Sequence, residues 1–212
     1  MLPASSTPVP EQPMTTSAAT APPQRSWGLI LLWLAPLVFL LLVLAYGFLT
    51  RAPADSTNSM PRVGHPLADF TLLDLQGHAV QLSALRGKVV FINVWATWCP
   101  PCVEEMPTIQ RLHERLHARG LEVLAISIDA LGAQVVAPFM RDYRLTFPTL
   151  LDPQGTIERL YRTGGVPESF IVDRQGRLVE KIVGPRDWAH PQFLAMFERL
   201  LAAPEPATEQ RN

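Results

Sequence analysis

The chain reads as an α/β protein: a central mixed sheet flanked by helices, with a β-hairpin added at its amino-terminal side and one apolar span ahead of that. Three observations carry this reading. Residues 89–94 and 121–129 are continuous apolar, β-branched runs of the kind that form strands buried on both faces, and a helical pattern at 102–118 lies between them. Two further strand signals, at 170–172 and 178–183, flank the turn Asp173-Arg174-Gln175-Gly176 and are therefore expected to pair antiparallel. The only two cysteines, Cys99 and Cys102, fall at the joint between the first buried run and the first helix.

Taken in order, residues 1–26 hold Pro3, Pro8, Pro10, Pro13, Pro22 and Pro23 among Ser, Thr and Ala, a composition that predicts disorder. Residues 27–49 are uncharged and leucine-rich, closed by Arg25 and Arg51, and long enough to cross a hydrocarbon core of about 30 Å as a helix. Trp27, Trp33 and Tyr46 lie towards the ends as interfacial anchors would, and Pro36 kinks such a helix without forbidding it. Ala52-Pro53-Ala54 has the small-residue alternation of a signal-peptide cleavage site. The apolar region of a signal peptide is only about 7–15 residues, so an uncleaved anchor is the expectation. Arg25 alone precedes the span while Arg51 and Arg62 follow it, so charge bias slightly opposes an inside amino terminus. Residues 50–61 read as a tether, 204–212 as a polar tail, and 62–203 as one domain. The formal net charge of -1 and the lack of a Lys/Arg cluster argue against nucleic acid as a partner.

Within the domain, 70–75 and 79–82 form a hairpin across Gln76-Gly77, and 83–85 makes a short turn before Gly87. After strand 89–94, helix 102–118 stops at Gly120 and strand 121–129 follows. A helix at 134–143 must take Pro138 near its first turn. A small strand begins at 149–151, and a short helix spans 157–161. After the hairpin 170–183, an amphipathic helix at 191–203 carries Phe193, Leu194, Phe197, Leu200 and Leu201 on one side.

The cysteine pair sits in Trp95-Ala96-Thr97-Trp98-Cys99-Pro100-Pro101-Cys102. Two-residue spacing lets the sulfurs open and close a disulfide across one turn, with Cys99 as nucleophile and Cys102 behind it as the resolving thiol. Unpaired N–H groups at a helix start favour a thiolate there, and proline tolerates the first turn because its missing donor costs nothing. A purely structural clamp gains little, since so small a loop removes little chain entropy from the unfolded state. A zinc site from Cys99, Cys102, His113 and His117 would need His113 within reach. If the helix starts at Cys102, however, His113 lies about 16 Å along it at the α-helical rise. His113 and His117 are expected on a solvated helix face.

These residues carry a resemblance. Phe91-Ile92-Asn93-Val94 leading into the cysteine motif, Gly165-Val166-Pro167-Glu168-Ser169-Phe170, and Gly184-Pro185-Arg186-Asp187-Trp188 together resemble the membrane-anchored TlpA, ResA and CcmG (DsbE) group of the thioredoxin fold, over nearly all of 62–203. The resemblance implies that Pro167 is cis and packs against the disulfide, with Val166 offering its backbone to a bound substrate strand. It places Trp98, Pro100 and Glu168 at the substrate surface, and it implies that Glu168 and Glu105 both lie where the group carries acids near the thiols. A carboxylate there opposes thiolate formation and can accept a proton from Cys102. Where thioredoxin has a buried Asp six residues before its first cysteine, this chain has Asn93, which takes no proton; this increases the interest of Glu105.

The resemblance further implies a thiol:disulfide oxidoreductase in a bacterial inner membrane, with its domain on the extracytoplasmic side. Such an enzyme would take electrons from a membrane donor and reduce client disulfides, such as those of apocytochrome c or a copper-binding oxidase subunit. Its partners would be protein thiols and disulfides, the donor, and the bilayer through residues 27–49. No cofactor is expected beyond the Cys99–Cys102 disulfide. The same residues leave open a disulfide-forming oxidase. A copper metallochaperone using Cys99, Cys102 and a distant histidine, His190 being the late candidate, also stays open.

Overall fold

Seven strands, β1 (Thr71–Asp74), β2 (Ala79–Gln81), β3 (Val89–Trp95), β4 (Leu121–Ser127), β5 (Thr149–Leu151), β6 (Glu168–Val172) and β7 (Leu178–Val183), make a single mixed sheet in the order β2-β1-β5-β4-β3-β6-β7. The computed structural model describes residues 60–203, together with the helical residues 39, 40, 42 and 43. The expected disordered segment, the tether and the tail lie outside the described residues but for residues 60 and 61, as does all but four residues of the apolar span. Among the described residues, no helix is long and apolar enough to cross a membrane.

The centre of the sheet is β3, Val89–Trp95, paired in parallel with β4, Leu121–Ser127, from Val89↔Leu121 to Trp95↔Ser127. Every residue of both strands is buried, which is why their sequences are largely apolar rather than alternating, with Asn93, Glu122 and Ser127 as the polar exceptions. On the far side of β3, β6 (Glu168–Val172) runs antiparallel, and β7 (Leu178–Val183) closes that edge. β5 (Thr149–Leu151) lies parallel to β4. It joins the sheet to the amino-terminal hairpin of β1 (Thr71–Asp74) and β2 (Ala79–Gln81), whose tight turn uses Gly77 at φ +83.

The two faces bury different sets of side chains, as the two-residue period of a strand requires. Val89, Phe91 and Trp95 of β3 pack with α1 (Pro100–Leu116), α2 (Ala133–Asp142) and α4 (Pro191–Ala202). Val90, Ile92 and Val94 face the other way. They pack with α3 (Thr156–Tyr161) and the segment from Leu67 to Leu82. The Tyr161 hydroxyl donates to the Ala68 carbonyl at 2.8 Å and ties α3 to that segment.

Several expectations shift. Helix α1 begins at Pro100 rather than 102, because both prolines occupy the positions whose N–H groups have no helical partner. It ends at Leu116 and passes through a 3-10 turn, His117–Arg119, to Gly120 at φ +101. Strand β4 ends at Ser127, leaving Asp129 beyond it. Pro138 lies in the interior of α2 rather than in its first turn, where burial of Val136 and Met140 offsets the missing hydrogen bond. His113 is buried and not on a solvated face: its ring lies tilted against that of His117 at 4.7 Å and meets Phe147 edge-on at 6.2 Å.

Candidate active site

At the end of β3 the chain leaves the sheet through Ala96–Trp98 and turns into α1 at Cys99, whose N–H donates to the Ala96 carbonyl at 3.2 Å. Cys99 is the N-cap of α1 in extended backbone conformation (φ -98, ψ 101), and its sulfur accepts the Cys102 N–H at 3.2 Å. The sulfur thus takes the place of a capping oxygen, on the end of the helix that carries partial positive charge. Cys99 and Cys102 form a disulfide of 2.12 Å with their Cα atoms 5.3 Å apart. Cys99 retains 4% of its surface and Cys102 none, so reagent can approach only from the Cys99 side. An attacking role needs an exposed sulfur, and Cys99 meets that need only through this small opening.

The Val166–Pro167 bond is cis, and the Val166 carbonyl oxygen lies 3.7 Å from Cys99 Sγ. In the disulfide that sulfur bears no proton, so this is a packing contact; a Cys99 thiol could donate across it. Pro167 is buried, and its carbonyl accepts the Gly184 N–H at 2.9 Å. Trp98, 64% exposed, and Pro100, also exposed, stand on the solvent side. Next to Val166 opens a cleft of about 220 Å³, lined by Ile128, Glu158, Thr163, Gly164, Gly165 and Val166.

Glu105 follows Cys102 by one helical turn and is buried beneath the site. Asn93 Nδ2 donates to its Oε1 at 2.8 Å, while the Arg186 N–H and Trp188 Nε1 donate to its Oε2 at 3.1 and 3.0 Å. Burial raises the pKa of this carboxyl above the ordinary 4.5, and the hydrogen bonds from Arg186, Asn93 and Trp188 oppose that rise only in part. Asn93 also donates to Ser169 Oγ at 3.1 Å, so β3, β6, α1 and the 186–188 segment meet in one polar knot beneath the cysteines.

Glu168 is placed differently from Glu105. Its neighbours Ser169 and Ile171 face α1, and Glu168 takes the opposite parity on β6, with Phe170 on the α3 face. There its Oε1 accepts the Gly164 N–H at 2.8 Å, and Lys181 Nζ lies 2.8 Å from Oε2 as an ion pair. The structure does not bring this acid to the thiols; it spends the carboxylate on the loop that leads to Val166. Of the expected site residues, Cys99, Cys102, Val166 and Pro167 converge, Trp98 and Pro100 flank them, Glu105 underlies them, and Glu168 supports from the far face. Among the described residues, no group of three His, Cys, Asp or Glu side chains is placed to hold a metal ion.

Asp129 also belongs to the site, although no sequence motif marks it. It is buried one residue past Ile128 of the cleft and accepts hydrogen bonds from the Thr97 N–H, the Thr97 hydroxyl and Ser127 Oγ. Its one local signal was an acid closing a mostly apolar run that also holds Glu122 and Ser127.

Comparison with known proteins agrees with this geometry. Residues 63–181 match the AhpC/TSA family. Thiol-disulfide oxidoreductase ResA of Bacillus cereus is 34% identical over 148 residues, covering 70% of this chain and 85% of the relative. ResA of Geobacillus kaustophilus is 35% identical over 147 residues, covering 69% and 84%. A crystal structure from Chlorobium tepidum, assigned as thiol:disulfide interchange protein DsbE, superposes with a TM-score of 0.58 at 31% identity. It covers 66% of this chain and 96% of that one. A disulfide capping a helix against a cis-proline loop, on this sheet and with these relatives, makes the chain a thiol:disulfide oxidoreductase of thioredoxin-like fold that belongs to the AhpC/TSA family and, within it, to the TlpA/ResA/CcmG (DsbE) group.

Proposed function

We propose that the chain is a membrane-tethered reductant of client-protein disulfides outside the cytoplasm, with Cys99 attacking and Cys102 resolving. The observation that carries the division of roles is the Cys102 N–H aimed at Cys99 Sγ, with Cys102 fully buried behind it. A Cys99 thiolate attacks one sulfur of the client disulfide, forming a Cys99–client bond and expelling the other client sulfur as a thiolate that takes up a proton. Cys102, deprotonated, then attacks Cys99 Sγ, forms the Cys99–Cys102 bond and releases the second client thiol. The client gains two electrons and two protons, and a thiol donor in the membrane must return them. The cleft beside Val166 supports docking of an extended client segment there, with Trp98 and Pro100 on the solvent side.

Glu105 supports the proposed direction of electron flow. A strong oxidant of this fold depends on a stabilised thiolate in the reduced form. A buried carboxylate one turn from Cys102 disfavours thiolate there and so favours the disulfide. The same carboxylate is the available proton acceptor for Cys102, because Asn93 is not one. The tether rests on the length and composition of residues 27–49, of which Phe39, Leu40, Leu42 and Val43 are helical and exposed. Apocytochrome c or a copper-binding oxidase subunit is the client class we propose, on the resemblance to the anchored group.

A redox titration of the full-length chain tests the direction. The expected reduction potential lies below about -200 mV, towards the thioredoxin end of the range; a value near -120 mV would make the protein an oxidant.

A further inference from the structure

The turn that presents Cys99 is held from outside its own helix. Between the last residue of β3 and Cys99 lie Ala96, Thr97 and Trp98, and Thr97 is fastened to a residue 32 positions away. Its N–H donates to Asp129 Oδ2 at 3.0 Å and its hydroxyl to Asp129 Oδ1 at 2.6 Å. Ser127 Oγ donates to the same Oδ2 at 2.8 Å, so both oxygens of a carboxylate that is 3% exposed are occupied. Burying a carboxylate in this way is costly unless its donors are fixed. Here two of the three come from one residue of the cysteine turn. The base of the clamp is itself fixed: the Ile128 N–H donates to the Trp95 carbonyl at 3.0 Å, and the Gly132 N–H to the Asp129 carbonyl at 2.9 Å.

We propose that Asp129 is the positioning residue of the attacking cysteine, clamping Thr97 so that the turn from Ala96 holds Cys99 Sγ against the Cys102 N–H. Asp129 touches neither sulfur and acts through Thr97. The proposal rests on Cys99 being the attacking sulfur. Two opposite effects of removing the carboxylate separate positioning from charge. A loosened turn withdraws the N–H from the thiolate and makes Cys99 harder to ionise. Loss of a negative charge alone makes Cys99 easier to ionise.

The test uses the full-length chain carrying Cys102→Ser, in which Cys99 is the only thiol and the backbone donor at 102 is retained. Iodoacetamide alkylation is followed as a function of pH, with circular dichroism as a check of folding. Asp129→Asn and Thr97→Val are expected to move the alkylation midpoint to higher pH and to slow the reaction at pH 7 by about tenfold. Thr97→Ser, which keeps both donors, is expected to titrate like its parent. A midpoint unchanged in folded Asp129→Asn, or moved to lower pH, overturns the proposal and leaves the attacking role of Cys99 standing. Should Asp129→Asn not fold, equal midpoints for Thr97→Val and Thr97→Ser overturn it in the same way. A parent in which Cys99 reacts no faster than an ordinary exposed thiol overturns the attacking role, and the proposal with it.

Discussion

Glu105 is a carboxylate held away from water by three donors, two of them backbone or indole N–H groups from the 186–188 segment. Its proton is bound more tightly in the folded protein than in the unfolded chain, because burial outweighs those donors. The contribution to stability is therefore fully present below the ordinary value of 4.5 and is lost as pH rises through the raised folded value. Glu105→Gln removes the titration while leaving one oxygen to accept from Arg186 and Trp188 and one amide to face Asn93. Asn93 Oδ1 is buried without a partner and can accept it once the Asn93 amide turns. Urea unfolding at pH 4 and pH 8 is expected to show the parent losing stability relative to Glu105→Gln as pH rises. Parallel behaviour of the two proteins would show that the carboxyl is not perturbed by burial. In the sequence, Glu105 was legible as an acid near the thiols, but its burial was not, since Asn93, Arg186 and Trp188 lie 12, 81 and 83 positions away.

Helix α1 shows what local pattern conveys and what it misses. Its amphipathic core of Met106, Ile109, Leu112 and Leu116 follows the 3.6-residue period and was readable. Its solvent face was not, because a distant loop covers part of it. Gln110 exchanges hydrogen bonds with Thr146, its Nε2 donating at 2.8 Å to the hydroxyl and its Oε1 accepting the Thr146 N–H at 2.9 Å. That lid brings Phe147 over His113. Desolvation holds the His113 pKa below the ordinary imidazole value, and the neighbouring His117 adds to this, while Glu122 and Glu114 oppose it. The depressed folded value means that stability is present above about pH 6.5 and is lost as pH falls through the lowered folded value. His113→Leu, which fills the site without a charge, is expected to flatten unfolding free energy against pH between 7 and 5. An acid slope as steep as the parent's would place the sensitivity elsewhere.

Across the whole molecule, the most legible parts were those whose partners are near in sequence or whose burial is two-sided. β3, β4 and the antiparallel pair β6–β7 lie where their apolar runs and turn residues put them. Facing was harder to read. Glu168 follows the cis bond directly, and whether it looks toward α1 or α3 depends on the register of β6 against β3, Glu168 opposite Val94. That register puts Glu168 with Lys181 and the Gly164 N–H, and puts Ser169 with Asn93. Two supports for the cysteine corner therefore come from separate sides of the sheet: Glu168 steadies the loop to Val166, and the Glu105 knot lies beneath α1. A client would meet a rigid corner in which one sulfur is edge-on to solvent and the other is enclosed. Capture of a client by the reduced full-length chain reads out this asymmetry, with insulin as the disulfide substrate and Cys102→Ser and Cys99→Ser compared. A stable mixed disulfide through Cys99 is expected in Cys102→Ser and none in Cys99→Ser; capture through Cys102, or equal capture by both variants, would overturn the assignment of the two sulfurs.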